Sequence, residues 1–190
     1  MRTALFILIF PFITATQGPA AKSSNSAGIY LSPEQFTQRS LSYPFNSQSG
    51  KLRLNNFLGG ANIQLTLNGE KHTFLKDTIF GYRDHQGLDY RFYLKAAYRI
   101  LDTTGFFLYS YTHMEQGNKI ARPTTTHYFS TTPDAPILPL TIANLQKAFA
   151  SNPNFCYRLS SEFRSDAALL TWFPAGNTYK LKYTYQHSTL

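Results

Sequence analysis

Three ionisable side chains fall within six positions of one another: Asp84, His85 and Asp89. A histidine between two carboxylates can exchange a proton with a substrate, because nearby negative charge raises the imidazole pKa toward the range useful to an acid or base. Such a trio in a cleft would suit an exported hydrolase. The same residue types also serve a turn, where an Asp accepts from the backbone just ahead of it and a second Asp pairs with an Arg across the strands. The turn reading needs no substrate, so Asp84, His85 and Asp89 stand as catalytic candidates with no catalytic motif behind them.

No other stretch supplies that motif. There is no glycine-rich phosphate loop, no His-Glu-x-x-His and no Gly-x-Ser-x-Gly. The five histidines, His72, His85, His113, His127 and His187, never stand at metal-ligand spacing, so neither a metal nor a cofactor is expected. Cys156 is the single cysteine, which excludes an internal disulfide. It lies at helical spacing from Leu159 and Phe163, and burial suits it better than the basic, exposed setting a reactive thiolate requires.

Binding chemistry is better represented. Arg83 and Arg91 can attract acidic groups, and Tyr82 and Tyr93 can stack on a sugar or pack on a protein. All of these candidates lie on or beside one hairpin, in which two aromatic runs flank His85-Gln86-Gly87. A three-residue loop ending in Gly closes without a Cβ clash and sets Phe80 opposite Phe92, Tyr82 opposite Tyr90 and Arg83 opposite Asp89. Phe80, Tyr82, Leu88, Tyr90, Phe92 and Leu94 then form an apolar face, and Arg83, Asp89 and Arg91 a polar one. A shift of one residue would mix the two.

Other elements must hold this hairpin. Asn68-Gly69 between Ile63–Leu67 and Glu70–Phe74 is a two-residue turn that places His72 opposite Leu65 as a half-buried structural residue. Tyr98–Leu101 and Phe106–Tyr111 flank a further turn at Asp102–Gly105, and Lys51–Phe57 alternates as a half-buried strand. Ser32-Pro33 starts one turn of helix. Arg122-Pro123 reads as loop before a strand at His127–Phe129, and the prolines at 133, 136 and 139 then interrupt strand formation. Two short helices follow, capped by Thr141 and by Asn152 ahead of Pro153. Alternation of Tyr179, Leu181, Tyr183 and Tyr185 with Lys180 and Lys182 predicts a closing hairpin with Ala168–Phe173. The fold class expected is α+β and mainly antiparallel: a meander of about eight strands with two short helices in the C-terminal third.

Composition agrees. The chain has 190 residues, 43% hydrophobic and 16% aromatic, with 13 Tyr and 16 Phe. That is enough to bury a core and is biased toward strands. Eighteen Lys and Arg against ten Asp and Glu give a charge of +8. The basic pairs Lys51/Arg53, Arg83/Arg91 and Lys180/Lys182 alternate with apolar residues, as the solvent face of a strand does. At the N-terminus, Arg2 precedes a short apolar run from Ala4 to Ile13, followed by small residues. The run is shorter than the ~20 residues of a membrane span and reads as a signal peptide over residues 1–21. A linker at 22–27 and one domain at 28–190 follow, with no transmembrane span in the mature chain.

Gly28–Leu31, Lys51–Phe57, Ile79–Asp84 with Gly87–Phe92, and Leu138–Thr141 with Asn144-Leu145 resemble an uncharacterised family of small exported proteins from Bacteroidetes-type bacteria. The resemblance covers most of the chain from Gly28 to about Phe163 and implies export without implying an activity. It also implies cysteines in relatives at the positions of Ser47 and His85, where this chain has neither. The function expected is a secreted, periplasmic or cell-surface binding module that presents Tyr, Phe and basic side chains to an anionic polysaccharide or a surface protein. Nucleic acid is not an expected partner of an exported chain.

Overall fold

The computed structural model describes residues 26–55, 60–116 and 121–188; the expected signal peptide and most of the linker lie outside them. The chain opens with β1 (Gly28–Tyr30) and α1 (Pro33–Thr37). Ser32 caps α1, its Oγ accepting from the Gln35 amide at 3.4 Å, while Gln35 Oε1 accepts from the Leu31 amide at 2.8 Å. The first bond satisfies an amide that the first turn of the helix leaves open, and the second ties the residue before the cap back to that turn. Strands β2 (Gly50–Arg53), β3 (Asn62–Leu67) and β4 (Glu70–Leu75) form a small antiparallel sheet, with His72 opposite Leu65 as expected. Asn68 and Gly69 take φ values of 50° and 89°, the geometry that Asn-Gly favours.

Strands β5 (Gly81–Arg83), β6 (Asp89–Tyr93), β7 (Ala96–Asp102), β8 (Phe107–Glu115), β9 (Arg122–Ser130) and β10 (Leu138–Pro139) follow. With β1 they form a seven-stranded antiparallel sheet in the order β1-β5-β6-β7-β8-β9-β10. The central hairpin has the expected register, Tyr82 opposite Tyr90 and Arg83 opposite Asp89, with Gly87 at φ 78°. Helices α2 (Ile142–Ala148) and α3 (Pro153–Glu162) carry the expected caps, Thr141 accepting from Asn144 and Asn152 from Phe155. The chain ends with the short pair β11 (Trp172–Phe173) and β12 (Thr178–Tyr179) and with α4 (Lys180–Gln186).

The α+β, mainly antiparallel class stands, with four short helices and two small sheets beside the main one among the described residues. Five local expectations are corrected. Pro139 does not interrupt strand formation: it lies in β10 opposite Tyr128, at the sheet edge where a proline is tolerated. Lys180–Gln186 is helix rather than strand: the buried residues Leu181, Lys182, Thr184 and Ser188 follow helical spacing, and the period-two pattern arose from counting Lys182 as a surface residue. Arg122-Pro123 belongs to β9, where Pro123 pairs with Met114 along a stretch with no neighbour on its other side, so the missing amide costs little. Phe80 packs with Tyr30, Phe36 and Phe107 rather than with Tyr82 and Phe92. Leu94 leaves the apolar face altogether. Because Tyr93 already pairs with Ala96, Leu94 and Lys95 must make the turn, and Leu94 is 81% exposed.

Both faces of the main sheet are covered, but unevenly. On one face, α2, α3 and α4 pack over Leu108 and Phe129, while the small sheet packs over Ile29, Tyr82 and Phe92 with Ile63 and Leu65. The other face buries Tyr30, Phe80, Phe107 and Tyr109 beneath Phe36 of α1 and Ile137 of the β9–β10 connection.

Candidate functional site

Cross-strand pairing aligns Ile29, Tyr82, Tyr90, Arg99, Ser110 and His127 in one row across β1, β5, β6, β7, β8 and β9. Partners opposite one another in an antiparallel sheet share a face. The small sheet buries the Ile29 end of this row, and the helices cover Leu108 and Phe129 further along the same face. Between these two coverings the sheet is open.

The opening is a groove of about 860 Å³. Its floor carries small side chains, Ala97 and Ser110, which leave space above the strands. Tyr82, Tyr90, Thr112, Thr125, Met114, Leu94 and Lys95 also line it. Lys76, Lys95 and Arg99 supply three cationic side chains, and no carboxylate is present among the described residues that line it. A concave wall of one sign concentrates counter-charge, because field lines spread less into solvent there than over a convex surface.

Lys76 is buried at this wall, with Nζ 5.9 Å from the Phe92 ring centre, and its burial lowers its pKa. Tyr82 and Tyr90 stack at 4.6 Å, and burial raises the pKa of each phenol, so both remain protonated donors at neutral pH. His113 stacks on Tyr111 at 5.6 Å and has a buried Nδ1 with no hydrogen-bond partner. The groove therefore offers the charges of the exposed Lys95 and Arg99, together with several hydroxyl donors, to whatever enters it.

The residues singled out from sequence take different places. Tyr82 lines the groove. Arg83 faces inward and makes a bidentate pair with Asp89, both bonds 2.8 Å, while Tyr30 donates to the same carboxylate at 3.0 Å. Arg91 is 5% exposed and donates to Tyr109, Ser130 and the Ala135 carbonyl, tying the β9–β10 connection to the sheet. Neither arginine lies on a solvent face of the strand, because α1 and that connection cover it, and Lys182 is likewise fully buried. Tyr93 contributes to a tyrosine cluster on this second face, 6.4 Å from Tyr98, which also touches Tyr111 and Tyr128 at 5.1 Å.

Asp84, His85 and Asp89 are not brought together. Asp84 accepts from the amides of Gln86 and Leu88, Asp89 serves Arg83 and Tyr30, and the exposed His85 meets the edge of Phe45 at 5.3 Å. Cys156 is half-buried, its thiol directed at the carbonyls of Gln146 and Phe149. Among the described residues no cluster of His, Cys, Asp or Glu could hold a metal ion, and no helix is long and apolar enough to cross a membrane.

Sequence reasoning passed over Lys76, Lys95 and Arg99. Each lies on a different element, and only the separation of the two coverings turns them into one site. The one local signal was Ala97, a small residue in an otherwise bulky strand. No family model, no curated protein and no solved structure matches the chain.

Proposed function

We propose that this chain is an exported, non-enzymatic binding module whose groove holds an acidic polysaccharide. What supports the reading is the composition of one concavity: Lys95 and Arg99 line it together with tyrosine, serine and threonine hydroxyls, and none of its described lining residues is a carboxylate. Polysaccharide hydroxyls need donors and acceptors, acidic groups need cations, and the pyranose C–H faces need apolar or aromatic contact. The groove has all three. The chain's charge of +8 adds a long-range attraction for the same ligand.

The test is retention of the purified protein on immobilised polygalacturonate, with neutral dextran as the comparison. Retention at low ionic strength that is lost as salt rises, with none on dextran, supports the proposal. Equal behaviour on the two matrices, or passage through both, contradicts it.

A further inference from the structure

Among the described residues two hairpins have two-residue turns, and they are built differently. Between β3 and β4 the turn is Asn68-Gly69, both at positive φ and suited to it. Between β6 and β7 the turn is Leu94-Lys95, with φ values of 47° and 65°. A leucine there places its Cβ against the backbone, which is why Gly, Asn and Asp dominate such positions. Leu94 is also 81% exposed, so its side chain gains nothing from the core in return. Fold stability alone would favour Asn-Gly at this turn as it does at the other. Both residues line the groove.

We infer that Leu94 and Lys95 are retained as ligand contacts, and that they select a uronic-acid residue of the polysaccharide. Leu94 covers the apolar C–H face of one sugar ring while the adjacent Lys95 ammonium pairs with the carboxylate on that ring. Backbone strain persists where a side chain is needed at a position the turn would otherwise give to Gly or Asn. A neutral sugar would satisfy Leu94 and leave Lys95 without a partner. A small inorganic anion would do the reverse. This inference rests on the proposed function of the groove.

The experiment compares the native protein with Leu94→Asn, the double variant Leu94→Asn/Lys95→Gly, and Arg99→Ala. Thermal unfolding and calorimetric titration with polygalacturonate oligomers are the readouts. Leu94→Asn leaves all three cations in place. It should raise the unfolding temperature yet weaken binding by about fivefold, and the double variant should be more stable still and bind more weakly. A Leu94→Asn protein that binds as the native one does overturns the inference, as does one that is no more stable than native. If binding also falls in Arg99→Ala, the groove reading survives that failure. Absence of any polygalacturonate binding by the native protein overturns both.

Discussion

Arg83 and Asp89 face each other across β5 and β6 and close a two-bond ion pair, each side chain only 15% exposed. The pairing uses both carboxylate oxygens, and Tyr30 adds a third hydrogen bond from the opposite neighbour strand. Removing one partner would strand a guanidinium and a phenol in a mostly dry setting. Asp89→Ala should therefore lower stability by about 2–3 kcal/mol in denaturant unfolding. Polygalacturonate affinity of the folded fraction should stay unchanged, because the pair lies on the sheet face away from the groove. Weaker binding at full stability would give this pair a ligand role that its geometry denies it.

Lys182 gives the fold a pH dependence. Its ammonium is fully buried, 3.6 Å from the Phe106 ring centre, donates to the carbonyls of Thr104 and Phe106, and lies 3.7 Å from Asp102. Burial lowers its pKa to about 7 from the usual 10.5, with Asp102 acting in the opposite direction. Between those two values the unfolded chain holds a proton that the folded chain has released, so raising the pH favours folding. Stability should rise from about pH 7 toward pH 10. Above that, buried phenols such as Tyr30 and Tyr82 oppose the trend, because the unfolded chain ionises them first. Lys182→Met should flatten the rise without abolishing it, since burial also lowers the Lys76 pKa. An unchanged slope in the variant would remove Lys182 as the cause.

Most of the fold was legible because it is written in local chemistry. Gly87 and Asn68-Gly69 fixed two hairpin registers, and Ser32, Thr141 and Asn152 fixed three helix starts. What was not legible depends on partners distant in sequence. Lys180–Gln186 alternates like a strand until Lys182 is known to bury its ammonium under the Asp102–Phe106 turn. Leu94-Lys95 carries no turn signal, since a strained turn is recognised only when β7 is seen pairing back on β6. The groove is a gap between two coverings, which no window of sequence contains, and the arginines that looked like binding residues were taken up by internal pairs.

Gly81 tests how tightly the central hairpin is built. A Cβ placed there would come within 1.8 Å of the Tyr90 carbonyl oxygen, a backbone atom that cannot turn aside. Gly81 also sits between Tyr30 and Arg91 in the row across the second face. Gly81→Ala should cost about 3 kcal/mol or more and broaden thermal unfolding. An alanine tolerated with no loss of stability would show that β5 and β6 can separate without disturbing the sheet.

The groove is the central claim, and the most direct measurement is the dissociation constant of polygalacturonate for Arg99→Ala beside a control, Lys71→Ala. Both substitutions remove one positive charge from an exposed side chain, Arg99 within the groove and Lys71 on β4 outside it. Loss of one charge-assisted hydrogen bond predicts affinity lower by about tenfold in Arg99→Ala, with Lys71→Ala close to native. Equal weakening in the two variants would mean that net charge alone attracts the polymer, and the groove would not be its site.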